Sequence, residues 1–338
     1  MVKAKRFVVV KHFQNNPKPS DLKLVVEELP TLQNEEFLVQ AEYLSVDPYM
    51  RVYTQRYPTG ITMIGIQVAK IIESKNTDFP VGKRIIGPLG WRTHTIINPY
   101  GPEHDFLGIK PMLVPDIGDL SPSLLLGALG LTGISAYFGL LDICKPIQGE
   151  VLVVSGAGGA VGSHVGQIAK KIFGLTVIGI TDSDEKCKWL VEELGFDYAI
   201  DYKKEDVEVS LRKAAPKGID CYFDNVGGEI STSVIYQMNN YGRIAACGSI
   251  SSYNLDSSSL TKSTILQPPF VFNRLKMEGF LATDWKDRWN EGIQKNLQWI
   301  REGKLLYRET ITNGFENMFD AFVGMLEGEN IGKALVQV

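Results

Sequence analysis

Residues 151–173 read VLVVSGAGGAVGSHVGQIAKKIF. The first five form a β-branched run of the kind a parallel sheet buries on both faces. Residues 160–173 carry helical spacing. Between the two, Gly156, Gly159 and Gly162 stand three apart, and Gly166 follows one helical turn later. Such a turn strips the backbone of Cβ atoms, so a pyrophosphate can approach it. The helix that follows offers unpaired N–H groups and the positive end of its dipole. Gly162 and Gly166 are expected to let the helix pack closely on the sheet. The strict GxGxxG spacing is not met. The turn's place, between a strand and a helix at the head of a long α/β repeat, favours a dinucleotide site over a tight turn with no ligand.

Downstream the texture repeats. Strands are expected at 176–180, 198–200, 220–223, 242–247 and 277–281, with helices at 184–194, 205–215 and from the Gly227–Gly228 turn to Met238. Parallel strands need crossover helices, so this alternation predicts an α/β fold, a doubly wound parallel sheet. A long helix is expected over 284–302. Its stripe of Trp285, Trp289, Ile293, Leu297 and Ile300 reads as core. Upstream, short Val, Ile and Phe runs at 7–11, 22–28, 36–43, 65–73 and 83–89 are separated by Gly and Pro and read as a β-rich region. The tail from Leu306 gives a strand, a helix and a last strand at 334–338. It does not extend the α/β repeat and is expected to return to the N-terminal β-domain.

The 338 residues are 44% apolar and 22% charged, which suits an ordinary globular protein of about two domains. A net charge of −4 argues against a nucleic-acid partner. Cys144, Cys187, Cys221 and Cys247 form no CxxC pair, which excludes a disulfide scaffold and suggests a reducing, cytoplasmic setting. The apolar run at 7–10 is too short for a signal-peptide core. The uncharged stretch 120–141 contains Pro122 and the glycines 127, 130, 133 and 139. It reads as buried, interrupted helix, and no membrane span is expected. There is no GxSxG and no GxxxxGK[ST], so neither a hydrolase elbow nor a P-loop is present. The histidines at 12, 94, 104 and 164 make no HExxH and no ligand spacing with a cysteine. His104, near acids in PEHDF, reads as a surface residue. The chemistry is expected to need no metal.

The ribose-reading position of such a fold lies near the end of the second strand, here Thr181-Asp-Ser-Asp-Glu-Lys186. Asp182 suits the 2′-hydroxyl of NAD, and Lys186 suits a 2′-phosphate. The residues alone leave both open.

Several stretches together resemble one family: SVDPYMR (45–51), AYFGLLDIC (136–144), the 156–170 glycine run, DCYFDNVGGE (220–229), GRIAACGSISSYN (242–254) and GFENMFDAFVGMLEGENIGKALV (314–336). It is the zinc-independent branch of the medium-chain dehydrogenase/reductases, comprising the prostaglandin reductases and 2-alkenal reductases. The resemblance runs in order along the chain. It implies a Rossmann NADP(H)-binding domain, 126–304, inserted in a discontinuous GroES-like catalytic domain, 1–125 and 305–338. It implies NADPH-dependent reduction of the double bond of enones and enals, a cytoplasmic enzyme and a homodimer.

Residue by residue, the resemblance places the pyrophosphate on Gly159, Ala160, Val161 and Gly162. It places Lys186 and Tyr202 beside the 2′-phosphate, and Asn225 after the fourth strand. Cys247, Gly248, Ser249, Ile250, Ser251, Ser252 and Tyr253 would lie along the nicotinamide. Phe280, Leu281, Ala282 and Asn330 complete the cofactor site. Asp182 departs from the small residue of close relatives, and a carboxylate there opposes a 2′-phosphate.

Hydride reaching the β-carbon of an enone leaves negative charge on the carbonyl oxygen. An aimed hydroxyl donor stabilises it. Tyr253 is the expected donor, because a phenol keeps its proton at neutral pH. Tyr49, in the segment where zinc relatives hold a metal ligand, is the second candidate. The competing readings are a quinone reductase, a hydroxyeicosanoid dehydrogenase, and a non-catalytic crystallin-like or RNA-binding protein. The polar run within 254–270 reads as a substrate lid.

Overall fold

The computed structural model describes residues 2–101, 108–255 and 265–338. The chain divides into two compact units. One comprises Met1–Gly127, Glu309–Asn330 and Ala334–Val338, and the other Ala128–Arg308 and Ile331–Lys333.

The first unit opens with β1 (Lys3–Val9) and β2 (Leu22–Glu28), antiparallel from Lys3 against Glu28 to Val9 against Leu22. β1 starts four residues before the expected 7–11. Lys3 and Lys5 alternate outward there while Ala4 is buried, so charged residues hide a period-two strand. The N–H groups of Val10 and Lys11 both reach the Asp21 carbonyl, at 2.8 and 3.2 Å, and end the ladder. Then come β3 (Phe37–Ser45), the short helix α1 (Tyr49–Tyr53), β4 (Gln67–Ser74), β5 (Arg84–Gly87), β6 (His94–Ile97) and β7 (Met112–Leu113). β6 was not expected. It is four residues long and pairs with β3, Phe37 against Ile97.

In the second unit, α2 (Leu131–Phe138) precedes β8 (Val151–Ser155). There follow α3 (Ala160–Lys171), β9 (Thr176–Thr181), α4 (Asp184–Lys188), β10 (Tyr198–Asp201) and α5 (Val207–Ala214). β11 (Ile219–Asp224), α6 (Gly228–Ile235), β12 (Met238–Ala246), α7 (Gln267–Asn273), β13 (Lys276–Gly279) and α8 (Trp289–Arg301) complete it. The six strands form one sheet in the order β10-β9-β8-β11-β12-β13, every pair parallel. This is the doubly wound order that reverses beside its first strand, between β8 and β11. Helices pack Val165, Ile168, Leu190 and Trp299 onto Leu152, Val154 and Phe223 of the sheet.

The helix expected over 284–302 is broken. A 3-10 segment covers Ala282–Arg288, with Trp285 at φ −112°, and α8 begins only at Trp289. Trp289 Nε1 donates to the Ala282 carbonyl at 2.7 Å and holds the bend. The apolar stripe still serves the core, with Leu297 buried and Trp285, Trp289, Ile293 and Ile300 packed beside it. Stretch 120–141 forms a 3-10 turn at Pro122–Leu126 and then α2, with Leu124, Leu125 and Leu126 buried. Among the described residues no helix is long and apolar enough to cross a membrane.

The tail then supplies β14 (Glu309–Asn313), α9 (Met318–Glu327) and β15 (Lys333–Gln337). The sheet of the first unit runs β14-β15-β3-β4-β5-β7, with β6 also on β3. β15 is antiparallel to β3, Leu335 against Ser45. Phe7 and Trp91 meet edge to face at 5.8 Å, and Phe315 and Phe322 from the tail pack on them at 5.3 and 5.7 Å. N-terminal and C-terminal segments thus share one core.

Candidate active site

The site in the second unit is built at the carboxyl ends of its strands, where ligands bind in open α/β sheets. β8 runs into the glycine turn, and Gly156 takes φ +61°, a left-handed conformation that favours glycine. A Cβ on Gly162 would sit 2.5 Å from the Gly156 carbonyl oxygen, and one on Gly158 would sit 2.8 Å from both Lys186 Cδ and Thr181 Oγ1. The backbone is therefore bare where a pyrophosphate must approach, and α3 starts at Ala160 with its first N–H groups directed there. These residues fit a dinucleotide. Gly166 works differently from the expectation of close packing on the sheet: a Cβ there would strike the Phe196 ring at 1.9 Å. Gly332, at φ +69°, donates its N–H to the Gly158 carbonyl at 2.8 Å and braces the turn from the far end of the chain.

At the end of β9, Lys186 Nζ lies 2.7 Å from Asp182 Oδ1, and Lys203 Nζ lies 3.7 Å from Asp182 Oδ2. The two alternatives left open by the sequence are thus one ion pair. Tyr202 is exposed beside them, its phenol pushed upward by partial desolvation, with Asp182 and Asp201 adding to this.

At the switch point between β8 and β11 lies Asp224, which the sequence reading passed over. Its buried carboxylate accepts from five donors: Ser155 Oγ at 3.0 Å, Tyr222 OH at 2.9 Å, Val226 N at 3.0 Å, Gly227 N at 2.9 Å, and the Ser231 hydroxyl. A buried charge with this many donors is stable where a bare one would not be. The Asp224 carbonyl also accepts from Cys247 N and Gly248 N at 2.8 and 3.1 Å. The one signal in the sequence was a carboxylate at the end of a strand, Cys221-Tyr-Phe-Asp224, whose apolar residues must be buried.

Asn225 donates its side-chain amide to the Ser155 carbonyl at 2.8 Å. Its own carbonyl accepts from Ile250 N at 3.2 Å, and the Val226 carbonyl accepts from Ser251 N at 3.1 Å. The loops after β11 and β12 are therefore laced together. Ser249 and Ser252 share a hydroxyl contact of 2.9 Å. At the end of this lacing, Ser249 N–H donates to the Tyr253 hydroxyl oxygen at 3.1 Å. Cys247 is half-buried, and its thiol is pushed up to about 12 by burial, with Asp224 adding to this. β12 pairs with β13, Ala246 against Gly279, so Phe280 follows alongside Cys247. The Phe280 ring packs edge-on against Phe223 at 6.1 Å. Leu281 is exposed, and the Ala282 carbonyl is taken by Trp289.

Tyr49 and Asn330 belong to the first unit. Tyr49 begins α1 and meets Tyr53 edge to face at 6.1 Å. Burial holds its phenol well above the usual range, and Asp47 and Tyr57 add to this. Asn330 is partly exposed after α9. His104 and much of the expected lid fall at 102–107 and 256–264, outside the described residues.

Among the described residues no group of three or more His, Cys, Asp or Glu side chains is placed to hold a metal ion. His164, on α3, is buried, and burial pulls its imidazole down to about 4. Its ring is held by the Ala160 carbonyl, and Nε2 has no hydrogen-bond partner among the described residues.

Two family models match the chain: an N-terminal domain of oxidoreductase over residues 5–104, and a zinc-binding dehydrogenase over 160–298. Prostaglandin reductase 1 of Sus scrofa is 46% identical over 339 residues, covering 100% of both chains. An NADP(+)-dependent 2-alkenal reductase of Nicotiana tabacum is 35% identical over 100% of this chain and 98% of its own. The structure of CurA from Vibrio vulnificus in complex with NADPH superposes with a TM-score of 0.90 at 37% identity, covering 99% of each chain.

Proposed function

This chain belongs to the prostaglandin reductase family of zinc-independent medium-chain dehydrogenase/reductases, and on that premise we propose the following reaction and roles. The enzyme reduces the carbon–carbon double bond of α,β-unsaturated ketones and aldehydes, with NADP(H) as cofactor. The carrying observation is the 46% identity to a prostaglandin reductase over the full length of both chains. When bound, the cofactor supplies the hydride that reaches the β-carbon of the substrate.

The chain's own residues do the rest. Gly159 to Gly162 receive the pyrophosphate on bare backbone and helix N–H groups. Lys186 and Tyr202 meet the adenosine end. Asn225, Cys247 to Ser252, Phe280, Leu281, Ala282 and Asn330 complete the cofactor contacts. The Tyr253 hydroxyl donates to the carbonyl oxygen as it gains charge. Its oxygen already accepts the Ser249 N–H, which polarises the O–H bond and steadies the phenol as its proton moves outward. Asp224 fixes that geometry by anchoring both loops. Tyr49, a phenol that burial keeps protonated, is the second group assigned to the substrate.

We assign the catalytic domain to 1–125 and 305–338 and the cofactor domain to 126–304; the compact units depart from these bounds by placing 126–127 with the first and 305–308 and 331–333 with the second. The four free thiols suit the reducing cytoplasm. A homodimer is favoured by the exposed edge strand β13, where Met277 and the nearby Val271 and Phe272 are 42%, 68% and 73% exposed. Antiparallel pairing of two β13 strands about Met277 sets Lys276 of each copy against Glu278 of the other.

The test is a panel of an enone, an alkenal and a quinone, each with NADPH, followed by loss of reduced-nicotinamide absorbance and product mass. Saturation of the double bond is expected. Turnover of the quinone alone would overturn the assignment.

A further inference from the structure

We propose that Asp182 sets the cofactor preference of this enzyme by competing with the 2′-phosphate for Lys186, so that NADH is accepted beside NADPH. The proposal rests on the NADP(H) reading above.

Three elements meet at this point. Asp182 follows the last residue of β9, Lys186 rises from α4, and the stem of Lys186 passes the glycine turn so closely that a Cβ on Gly158 would touch it at 2.8 Å. The end of the second strand is where a dinucleotide's ribose is read. Asp182 and Lys186 side chains are only 10% and 9% exposed, so their charges are screened far less than a surface pair. The Asp182 carboxylate holds the Lys186 ammonium at 2.7 Å, with the Lys203 ammonium at 3.7 Å on its other oxygen. Of the other charges nearby, Lys204 pairs with Asp184 and Arg308 pairs with Glu185 at 3.2 Å, while the buried Asp201, opposite Thr181 in the sheet, adds a second carboxylate.

At Asp182 itself two cations and one carboxylate leave a single net positive charge, which the nearby Asp201 carboxylate lowers further, for a group that carries nearly two negative charges. A 2′-phosphate must draw Lys186 from Asp182 and then share Lys186 and Lys203 with it. A 2′-hydroxyl makes no such demand, because it can donate to the Asp182 carboxylate directly. The same aspartate therefore penalises one cofactor and holds the other.

Calorimetric titration of the full-length protein without cofactor, using 2′,5′-ADP and 5′-AMP, separates the two effects. In Asp182→Asn, 2′,5′-ADP should bind at least about tenfold more tightly, and 5′-AMP no more tightly than in the wild type. Lys203→Met should weaken 2′,5′-ADP selectively. The KM ratio of NADH to NADPH should rise in Asp182→Asn by a similar factor. Thermal unfolding checks the fold: a loss of melting temperature in Asp182→Asn should be recovered by 2′,5′-ADP and not by 5′-AMP. Unchanged 2′,5′-ADP affinity, or equal tightening of both nucleotides, overturns the proposal. Failure of the wild type to bind either nucleotide overturns the cofactor reading beneath it.

Discussion

Replacing His164 by Leu should remove a definable part of the protein's acid sensitivity. The imidazole is buried in α3, and burial pulls its titration down to about 4, against about 6.5 in an open chain. Above pH 6.5 both folded and unfolded chains hold it neutral, and it adds no pH dependence. As the pH falls through 6.5 the unfolded chain takes up a proton that the folded one refuses, so stability declines. The decline ends near pH 4, where the folded imidazole also protonates. The gap of about 2.5 pH units corresponds to about 3 kcal/mol, of which about 2 kcal/mol is lost by pH 5.

Leucine cannot protonate, and it also removes the partnerless Nε2, whose burial costs about 1–3 kcal/mol. The assay is urea unfolding at pH 8, 7, 6 and 5, taking the difference in unfolding free energy between wild type and His164→Leu at each pH. Carboxylates elsewhere cancel in that difference. It should shift by about 2 kcal/mol in favour of the variant between pH 8 and pH 5. A difference that stays flat across this range would refute the burial argument. His164→Gln, which keeps a polar side chain without the titration, should follow the same pH course and so separates packing from protonation.

Tyr253→Phe should lower kcat about a hundredfold or more with KM for NADPH unchanged, since one aimed donor is lost. Full turnover on an enone would remove that role. Gly162→Ala forces a Cβ to 2.5 Å from a backbone carbonyl, so it should weaken nucleotide binding in fluorescence titration and lower stability by about 1–3 kcal/mol. Wild-type affinity would show that the turn can relax. The thiols of Cys187 and Cys247 are pushed up to about 11 and about 12, mainly by burial, while Cys144 and Cys221 are buried. In the native protein at pH 8, mass spectrometry should show all four reacting with iodoacetamide about a hundredfold or more below free cysteine, and at ordinary rates in urea. Rapid native labelling of any one would contradict its shielding.

The second unit was legible because its first two strands, β8 and β9, are short β-branched runs and its turns are marked by glycine. VLVVS at 151–155 and the helix after it fall where the sequence placed them. The first unit was legible in outline only. β6 is four residues long, and β1 hides behind outward lysines, so periodicity had too few positions to register. Local breaks were invisible too: the bend at Trp285 depends on a tryptophan reaching a carbonyl seven residues back. The site divided in the same way. Glycines declare themselves through the backbone. Asp224 does not, because Ser155, one of its partners, stands 69 residues away and is brought close only by the sheet order. Asp182 and Lys186 were visible as separate candidates four residues apart. Their mutual contact was not, because it depends on where a lysine stem lies against Gly158.

The position of β15 has a consequence for how the protein is made. This last strand sits between β14 and β3, so the sheet of the first unit stays open until residues 334–337 have left the ribosome. Almost all of the second unit, through Arg308, emerges earlier. At roughly 5–20 residues per second, the interval from Gly127 to Ala334 lasts roughly 10–40 seconds. For that time the nascent chain carries β3 without its C-terminal neighbour, and Phe7 and Trp91 without Phe315 and Phe322. The unit synthesised first is therefore the last to close, and termination of synthesis before residue 334 should strand it as a chaperone client.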